Sequence, residues 1–342
     1  MRLTSPLPAS NVITRTNIEI MSTIHESIVL VGGGGGVYRV ARFLKRKRLN
    51  ITTVQTMFDS GGHSRQLRDE RGMLPPGDIR QAILALSDDT LEESLRVLLS
   101  YRFPARNHSA IDHATSGNFM LTALTEHHNG NIVAAINDLC RLFRVKGRVL
   151  PVSLDHANLS VTLSDGSTLT GEGVIDKRRL DDDRTIVSAR LKPAAHIYTG
   201  AYQALVKADK VVFCPGDLYT SIIPNALVDG FREAMAETEA RLIFAVNIMT
   251  KKSETHGYSA SRFATTLLSY LGRERFDTVI VNGQPIRPKV QAAYRLEQAY
   301  PVRVDMAHLR RSAEQVLVED LADQTGGVIR HSEHIAGVIA GI

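Results

Sequence analysis

Two glycine-rich runs carry the clearest chemical signal in this sequence. Gly32 to Gly36 are five consecutive glycines placed directly after the apolar run Ile28 to Val31, and apolar residues at helical spacing follow from Val37 to Leu49. Strand, glycine loop and helix start in that order turn backbone N–H groups and the positive end of a helix dipole toward an anion. Gly33, Gly34, Gly35 and Gly36 are therefore expected phosphate contacts, since five successive glycines cost more backbone entropy than a plain turn requires. The loop is not a Walker A loop, because no Gly-Lys-Ser/Thr follows it. It also departs from Gly-x-Gly-x-x-Gly, whose third position is Val37 when counted from Gly32 and Tyr38 when counted from Gly33.

The second run follows the strand pattern Ile51 to Phe58: Asp59, Ser60, Gly61, Gly62, His63 and Ser64. At that position Asp59 can meet a ribose hydroxyl or a metal ion on a pyrophosphate, and the glycines add a second backbone surface. Further candidates come from loops that close a strand or open a helix. Asp78 can cap the helix Ile79 to Leu86, and Arg80 stands in the same stretch. Asn118 reaches a ligand or caps its own helix. Gly216, Tyr219, Thr220 and Ser221 follow the strand ending at Cys214, and Asn247 ends another strand. Tyr258 stacks on a base or packs, and Arg295 pairs with a phosphate or is solvated. No Ser-His-Asp or Cys-His context is recognisable, and His127-His128 lacks a third ligand at metal spacing.

The elements that must position these loops alternate. Strand patterns at Ile28 to Val31, Ile51 to Phe58, Lys210 to Cys214, Arg241 to Asn247, Thr278 to Asn282 and Val302 to Asp305 are separated by helical segments. This predicts an α/β fold, a doubly wound, mostly parallel Rossmann-like sheet with helices on both faces, whose ligand sits beyond the carboxyl ends of the strands. Leu91 to Phe143 reads as a helical block. Short strands from Arg148 to Leu191, two of them joined by Asp165-Gly166, predict a small antiparallel β insertion. The expected organisation is a disordered extension over 1–26, an N-terminal half of the α/β domain over 27–147, the insertion over 148–192 and a C-terminal half over 193–342.

Composition excludes other classes. Hydrophobic content of 43% with 23% charged residues in 342 positions is that of a folded chain. The net charge of +5 is scattered except at Lys45 to Arg48, which reads as a helix C-terminus complementing its dipole, so no nucleic-acid partner is expected. Cys140 and Cys214 are expected core thiols. No run reaches the roughly 18 apolar residues of a membrane span. The first 20 residues lack the apolar region of a signal peptide, which predicts a cytoplasmic protein.

Taken in order, these motifs resemble the YvcK-like gluconeogenesis-factor family, related to CofD, the 2-phospho-L-lactate transferase of deazaflavin-coenzyme synthesis. The resemblance runs through the two glycine loops, Leu74-Pro75-Pro76-Gly77-Asp78-Ile79-Arg80, Ser116-Gly117-Asn118, Gly147 to Val152, Pro215 to Asn225, Asn247 to Thr250, Gly257 to Ser261 and Arg330-His331, about residues 27 to 340. It implies a cytoplasmic regulator that binds a UDP-sugar such as UDP-N-acetylglucosamine and influences carbon metabolism and cell shape, with no required cofactor and with homodimerisation compatible. The enzyme alternative is a transfer of a phospholactyl-like group from a nucleotide diphosphate to an alcohol, with Mg²⁺ at Asp59. A nicotinamide-dependent enzyme is a third reading, disfavoured by the missing third glycine. The sequence departs from the family where Gly35 replaces a Thr, Ser60 an Asp and His63 a Ser.

Residues 1–24 combine irregular polarity with a second methionine, Met21, just before the first strand pattern. A chain beginning at Met21 is expected to melt within a few degrees of the full one, because termini without packed apolar faces contribute little. A large drop in Tm would show that the extension docks.

Overall fold

The computed structural model describes residues 25–61, 73–91, 93–106 and 112–342. Seven strands form the central sheet: β1 (Ser27–Gly32), β2 (Asn50–Gln55), β3 (Arg148–Pro151), and, after three strands of a separate sheet, β7 (Lys210–Phe213), β8 (Arg241–Ala245), β9 (Phe276–Asn282) and β10 (Ala313–Glu319). The separate sheet holds β4 (Asn158–Leu163), β5 (Thr168–Thr170) and β6 (Ile186–Lys192). Central strand order is β10-β9-β8-β7-β1-β2-β3, and every pairing in it is parallel.

Strands buried on both faces need uninterrupted apolar sequence, and Ile28 to Val31 and Val211 to Phe213 supply it in register, Leu30 opposite Val212. The rings of Phe213, Phe244 and Phe276 join β7, β8 and β9, with centroids 6.0 Å apart for Phe213–Phe276 and 5.4 Å for Phe244–Phe276. From β1 the chain winds through α1 (Gly34–Leu44) to β2, whereas from β7 it winds the other way to β8. Right-handed crossovers in opposite directions place their helices on opposite faces of the sheet. The reversal of strand order lies between β1 and β7, and there the loops after the two strands part to leave a crevice.

Several sequence expectations change here. α1 begins inside the glycine run at Gly34, not at Val37, and β2 stops at Gln55. Arg148 to Pro151 belongs to the central sheet, with Thr53 opposite Val149 in β2, so the antiparallel sheet begins only at Asn158. Its uninterrupted apolar run is the mark of a parallel core strand. The expected strand Thr168 to Ile175 breaks at Gly171, where φ is +100°, and Glu172–Asp176 is a helical turn. Val302 to Asp305 does not join the central sheet, where Arg303 bridges Ser259 and Val302 N donates to Ile248 O at 2.9 Å instead, and the outer strand is Ala313–Glu319, whose exposed, polar face hides its pattern. Glu26 belongs to the folded part, since it pairs with Lys210 at 2.8 Å and its carbonyl accepts from Asn50 N. Residues 1–24 lie outside the described residues.

The crevice is tight on one side. A Cβ built on Gly36 would lie 1.4 Å from the Pro215 carbonyl oxygen, whereas one on Gly35 meets nothing within 4 Å. Gly36→Ala is therefore expected to lower the unfolding free energy by about 1–3 kcal/mol, the range for overpacking. Gly35→Ala is expected to be neutral or to stabilise by up to ~1 kcal/mol through helix propensity. Urea unfolding of the two variants checks this, and equal effects would remove the close approach as the reason for glycine at 36.

Candidate functional site

One carbonyl anchors the site. Gly32 O accepts from Thr56 N at 3.0 Å and from Asn225 Nδ2 at 3.5 Å, and the same amide reaches Ser221 O at 2.9 Å and Ile222 O at 3.2 Å. The ends of β1 and β2 and the turn after β7 thereby share one cluster of hydrogen bonds. That turn, Leu218–Ile222, is π-helical, a local form that recurs at functional sites. Asn247, just after β8, accepts from Gly216 N at 3.0 Å and so fixes the second loop of the crevice.

A cleft of about 510 Å³ opens between these loops, lined by Gly35, Gly36, Gly216 and Asn247 and by the side chains of Tyr38, Arg39, Arg42, Tyr294 and Arg330. Its character is basic. Arg39 makes one long ion pair, 3.8 Å to Asp323, and burial together with the neighbouring Arg330 lowers its pKa. Arg42 reaches Tyr38 Oη at 3.4 Å, while its buried Nε has no partner among the described residues. Behind them His331 donates from Nε2 to the Val246 carbonyl at 3.2 Å, and burial pushes its pKa down to about 4, so it is neutral at pH 7.

The other side of the α1 N-terminus is acidic. Asp78 does not cap its own helix α2 (Gly77–Leu86), whose N-cap is Pro76; its carboxylate crosses to accept from Gly34 N. Burial, and then the nearby Asp59, push the Asp78 pKa up to about 7. Glu172 rises to about 8 through burial and through Asp59, with which it shares a hydrogen bond. Asp59 Oδ1 accepts from Gly61 N at 2.7 Å, and Ser60 Oγ accepts from Gly173 N at 3.2 Å, which docks the second loop on the insertion. Beneath it, Arg80 donates from Nε to Asn118 Oδ1 at 3.0 Å, and burial lowers the guanidinium pKa to about 10.

A third group holds Asp176, Asp217 and Glu254, whose carboxylate oxygens lie within 4.8 Å of one another. The Lys251 ammonium sits among them, in contact with Asp176, 2.6 Å from Asp217 and 3.6 Å from Glu254. Burial alone would lower the lysine pKa, but Glu254 and Asp217 outweigh it and raise it. Glu254 is buried and accepts from Tyr219 N at 2.8 Å, Thr220 N at 3.3 Å and Thr220 Oγ1 at 2.7 Å.

The sequence candidates thus divide. Gly33 to Gly36, Asp59, Asp78, Gly216 and Asn247 converge on the crevice. Tyr219 and Thr220 turn inward to Glu254, and Tyr219 meets Tyr258 hydroxyl to hydroxyl at 3.1 Å; Arg262 covers the Tyr258 ring at 4.3 Å, so that ring packs. Ser221 and Ser60 serve through backbone and loop bonds, and Arg80 with Asn118 forms a buried pair below the loop. Arg295 is exposed and bonded to Gln291, and its neighbour Tyr294 is the residue that lines the cleft. Gly62, His63 and Ser64 lie outside the described residues. Sequence reasoning passed over Arg39, Arg42, Glu172, Lys251 and Glu254. The arginines had a readable signal, cations one turn apart on the helix that opens with the glycine loop.

Comparison with known proteins adds a second line. Residues 28–322 match the family 2-phospho-L-lactate transferase CofD. The gluconeogenesis factor of Halalkalibacterium halodurans is 33% identical over 308 residues, covering 90% of this chain and 93% of the relative. A putative gluconeogenesis factor of Thermotoga maritima is 37% identical over 318 residues, 91% and 98% of the two chains. The gluconeogenesis factor of Bacillus subtilis is 32% identical over 308 residues, 90% and 94%. The crystal structure of a UPF0052 family member from Bacillus halodurans superposes with a TM-score of 0.86 at 32% identity, covering 93% of this chain and 99% of that one.

The raised carboxyl groups predict a pH dependence. Unfolded Asp78 releases its proton near pH 4, whereas the folded residue keeps it until about 7. Its contribution to stability is therefore fully present below about pH 4 and is lost as pH rises through about 7. His331, with its pKa lowered, acts oppositely, its cost fading as pH rises from about 4 to 6.5. Asp78→Asn should remove the first effect alone. Relative to wild type it should gain stability steadily between pH 4 and 7, in chemical denaturation at fixed temperature. A constant difference across that range would contradict the assignment.

Proposed function

We propose, because the chain belongs to the 2-phospho-L-lactate transferase CofD family, that its basic cleft binds a nucleoside-diphosphate sugar, with UDP-sugars such as UDP-N-acetylglucosamine as the expected class. The observation that carries this reading is the pairing of the α1 N-terminus with Arg39, Arg42 and Arg330 around one cleft. The amides of Gly35 and Gly36, in the first turn of α1 and so without intrahelical partners, and three guanidinium groups suit a diphosphate, because Arg presents forked donors to phosphate oxygens. Tyr38 and Tyr294 supply aromatic surface for a base. In this reading the protein is a cytoplasmic regulator acting on carbon metabolism and cell shape. The name gluconeogenesis factor, borne by relatives aligned along nearly the whole chain, supports regulation over catalysis.

Group transfer with Mg²⁺ at Asp59 is the second reading, supported by the description of the matched family. Asp78 and Glu172 hold protons near neutral pH, so a cation at Asp59 would have to displace them and its binding would weaken as pH falls. The three-carboxylate group farther along already receives the Lys251 ammonium.

Isothermal titration should show a UDP-sugar binding more tightly than NAD, with affinity retained in EDTA. Arg330→Gln is expected to weaken binding by about 1.5–3 kcal/mol, the range for a hydrogen bond to a charged group. Heat that vanishes with EDTA, together with turnover of a phospholactyl donor, would move the assignment to the transferase. No heat with any uridine nucleotide would remove both forms of the binding reading.

A further inference from the structure

The helix Pro288–Leu296 is poorly packed for its length. Of its nine residues only Val290 is buried, although a helix this short is marginal in water and draws its stability from an amphipathic face laid on another element. Tyr294 turns one side of it to the basic cleft. The opposite side carries Lys289, Ala292, Ala293 and Leu296, all exposed, and their i, i+3, i+4, i+7 spacing sets them in one stripe. Leu296, 80% exposed, is the most exposed large apolar side chain among the described residues. Glu297, the C-cap and likewise exposed, ends the stripe with a negative charge where Lys289 begins it with a positive one.

We propose that this stripe is an interface between two copies of the chain, packed antiparallel about a two-fold axis at Ala293. Such an axis places each residue opposite the one equally far from it in the other direction along the partner. Lys289, four residues before Ala293, then meets Glu297 of the partner subunit, four residues after it, and the ion pair occurs twice. At the axis Ala292 and Ala293 are small enough for the two backbones to approach closely, and Leu296 covers the alanines of the opposing helix. A parallel pairing would instead set Lys289 against its own copy. A face with opposite charges at its ends and small residues between them is complementary to itself, which singles out a second copy over an unrelated partner. One pair of short helices buries less than a standard interface, so the dimer is weak and depends on concentration. Both clefts stay open, because Tyr294 lies on the far side of the helix.

Sedimentation velocity on the full chain, without ligand, should show monomers giving way to a two-chain species as concentration rises, with a Kd of about 1–100 µM. Lys289→Glu sets like charges opposite each other at both ends of the contact and should raise that Kd about tenfold or more. The exchange of Lys289→Glu together with Glu297→Lys should return it to within about threefold of wild type. Both changes suit the helix dipole, acid at the start and base at the end, so neither threatens the fold. Ala293→Arg should leave a monomer at every concentration with an unchanged Tm, since the position is exposed in the single chain. A wild type that stays monomeric throughout would overturn the proposal. A dimer indifferent to Ala293→Arg and Lys289→Glu would overturn it too, because another face would then join the copies. An exchange that fails to restore association would overturn the antiparallel pairing.

Discussion

The approach of two backbones at the reversal of the sheet is the constraint on which the site depends. β1 and β7 are adjacent in space though nearly 180 residues apart in sequence, and the loops after them meet where Gly36 presses against Pro215. Any side chain at Gly36 would push the loops apart. Their contact lets a single carbonyl, Gly32 O, bind groups from both sides, and it lets Asn247 hold the Gly216 amide. Gly36 and Pro215 both line the cleft, so its floor takes its spacing from that contact.

Around the α1 N-terminus charge is sorted by side. Asp78 takes the Gly34 amide, one of the N–H groups that a helix start leaves without an intrahelical partner. The amides of Gly35 and Gly36 remain for the cleft, on the side where Arg39, Arg42 and Arg330 stand. The guanidinium groups give that side of the crevice a positive field, while Asp59, Asp78 and Glu172 crowd the other with carboxyl groups. The raised proton affinities of Asp78 and Glu172 follow first from burial and then from the nearness of Asp59, since buried carboxylates brought together cannot all ionise freely.

Much of this was legible in the sequence and some was not, for physical reasons. A glycine run after an apolar strand announces an anion loop by local geometry, and alternation of strand and helix announces the parallel sheet. β3 was assigned to the wrong sheet because pairing partners are not encoded in a strand's own pattern; only its lack of alternation hinted at a buried parallel place. β10 was passed over because an outer strand exposes one edge and carries Glu314, Gln315 and Glu319. Asp78 looked like a cap for its own helix, since a carboxylate near a helix start usually acts locally, and only the folded sheet brings Gly34 within its reach. Glu172 and Lys251 lay hidden for the same reason: each acquires its role from residues on distant segments.

The Lys251 group shows how such long-range chemistry also fixes local form. Glu254 is fully buried, and an isolated buried carboxylate costs several kcal/mol, so it must collect partners. It finds them in the amides of Tyr219 and Thr220 and in the Thr220 hydroxyl, which are the donors left free at the start of the π-helical turn. Lys251 then balances Glu254 and at the same time gathers Asp217 from that turn and Asp176 from the insertion. Removing the ammonium would leave three carboxylates facing one another, so the insertion and the β7 loop are held together by a cation the chain itself supplies. The helical turn Glu172–Asp176 is in this sense held against the β7 loop by charge balance.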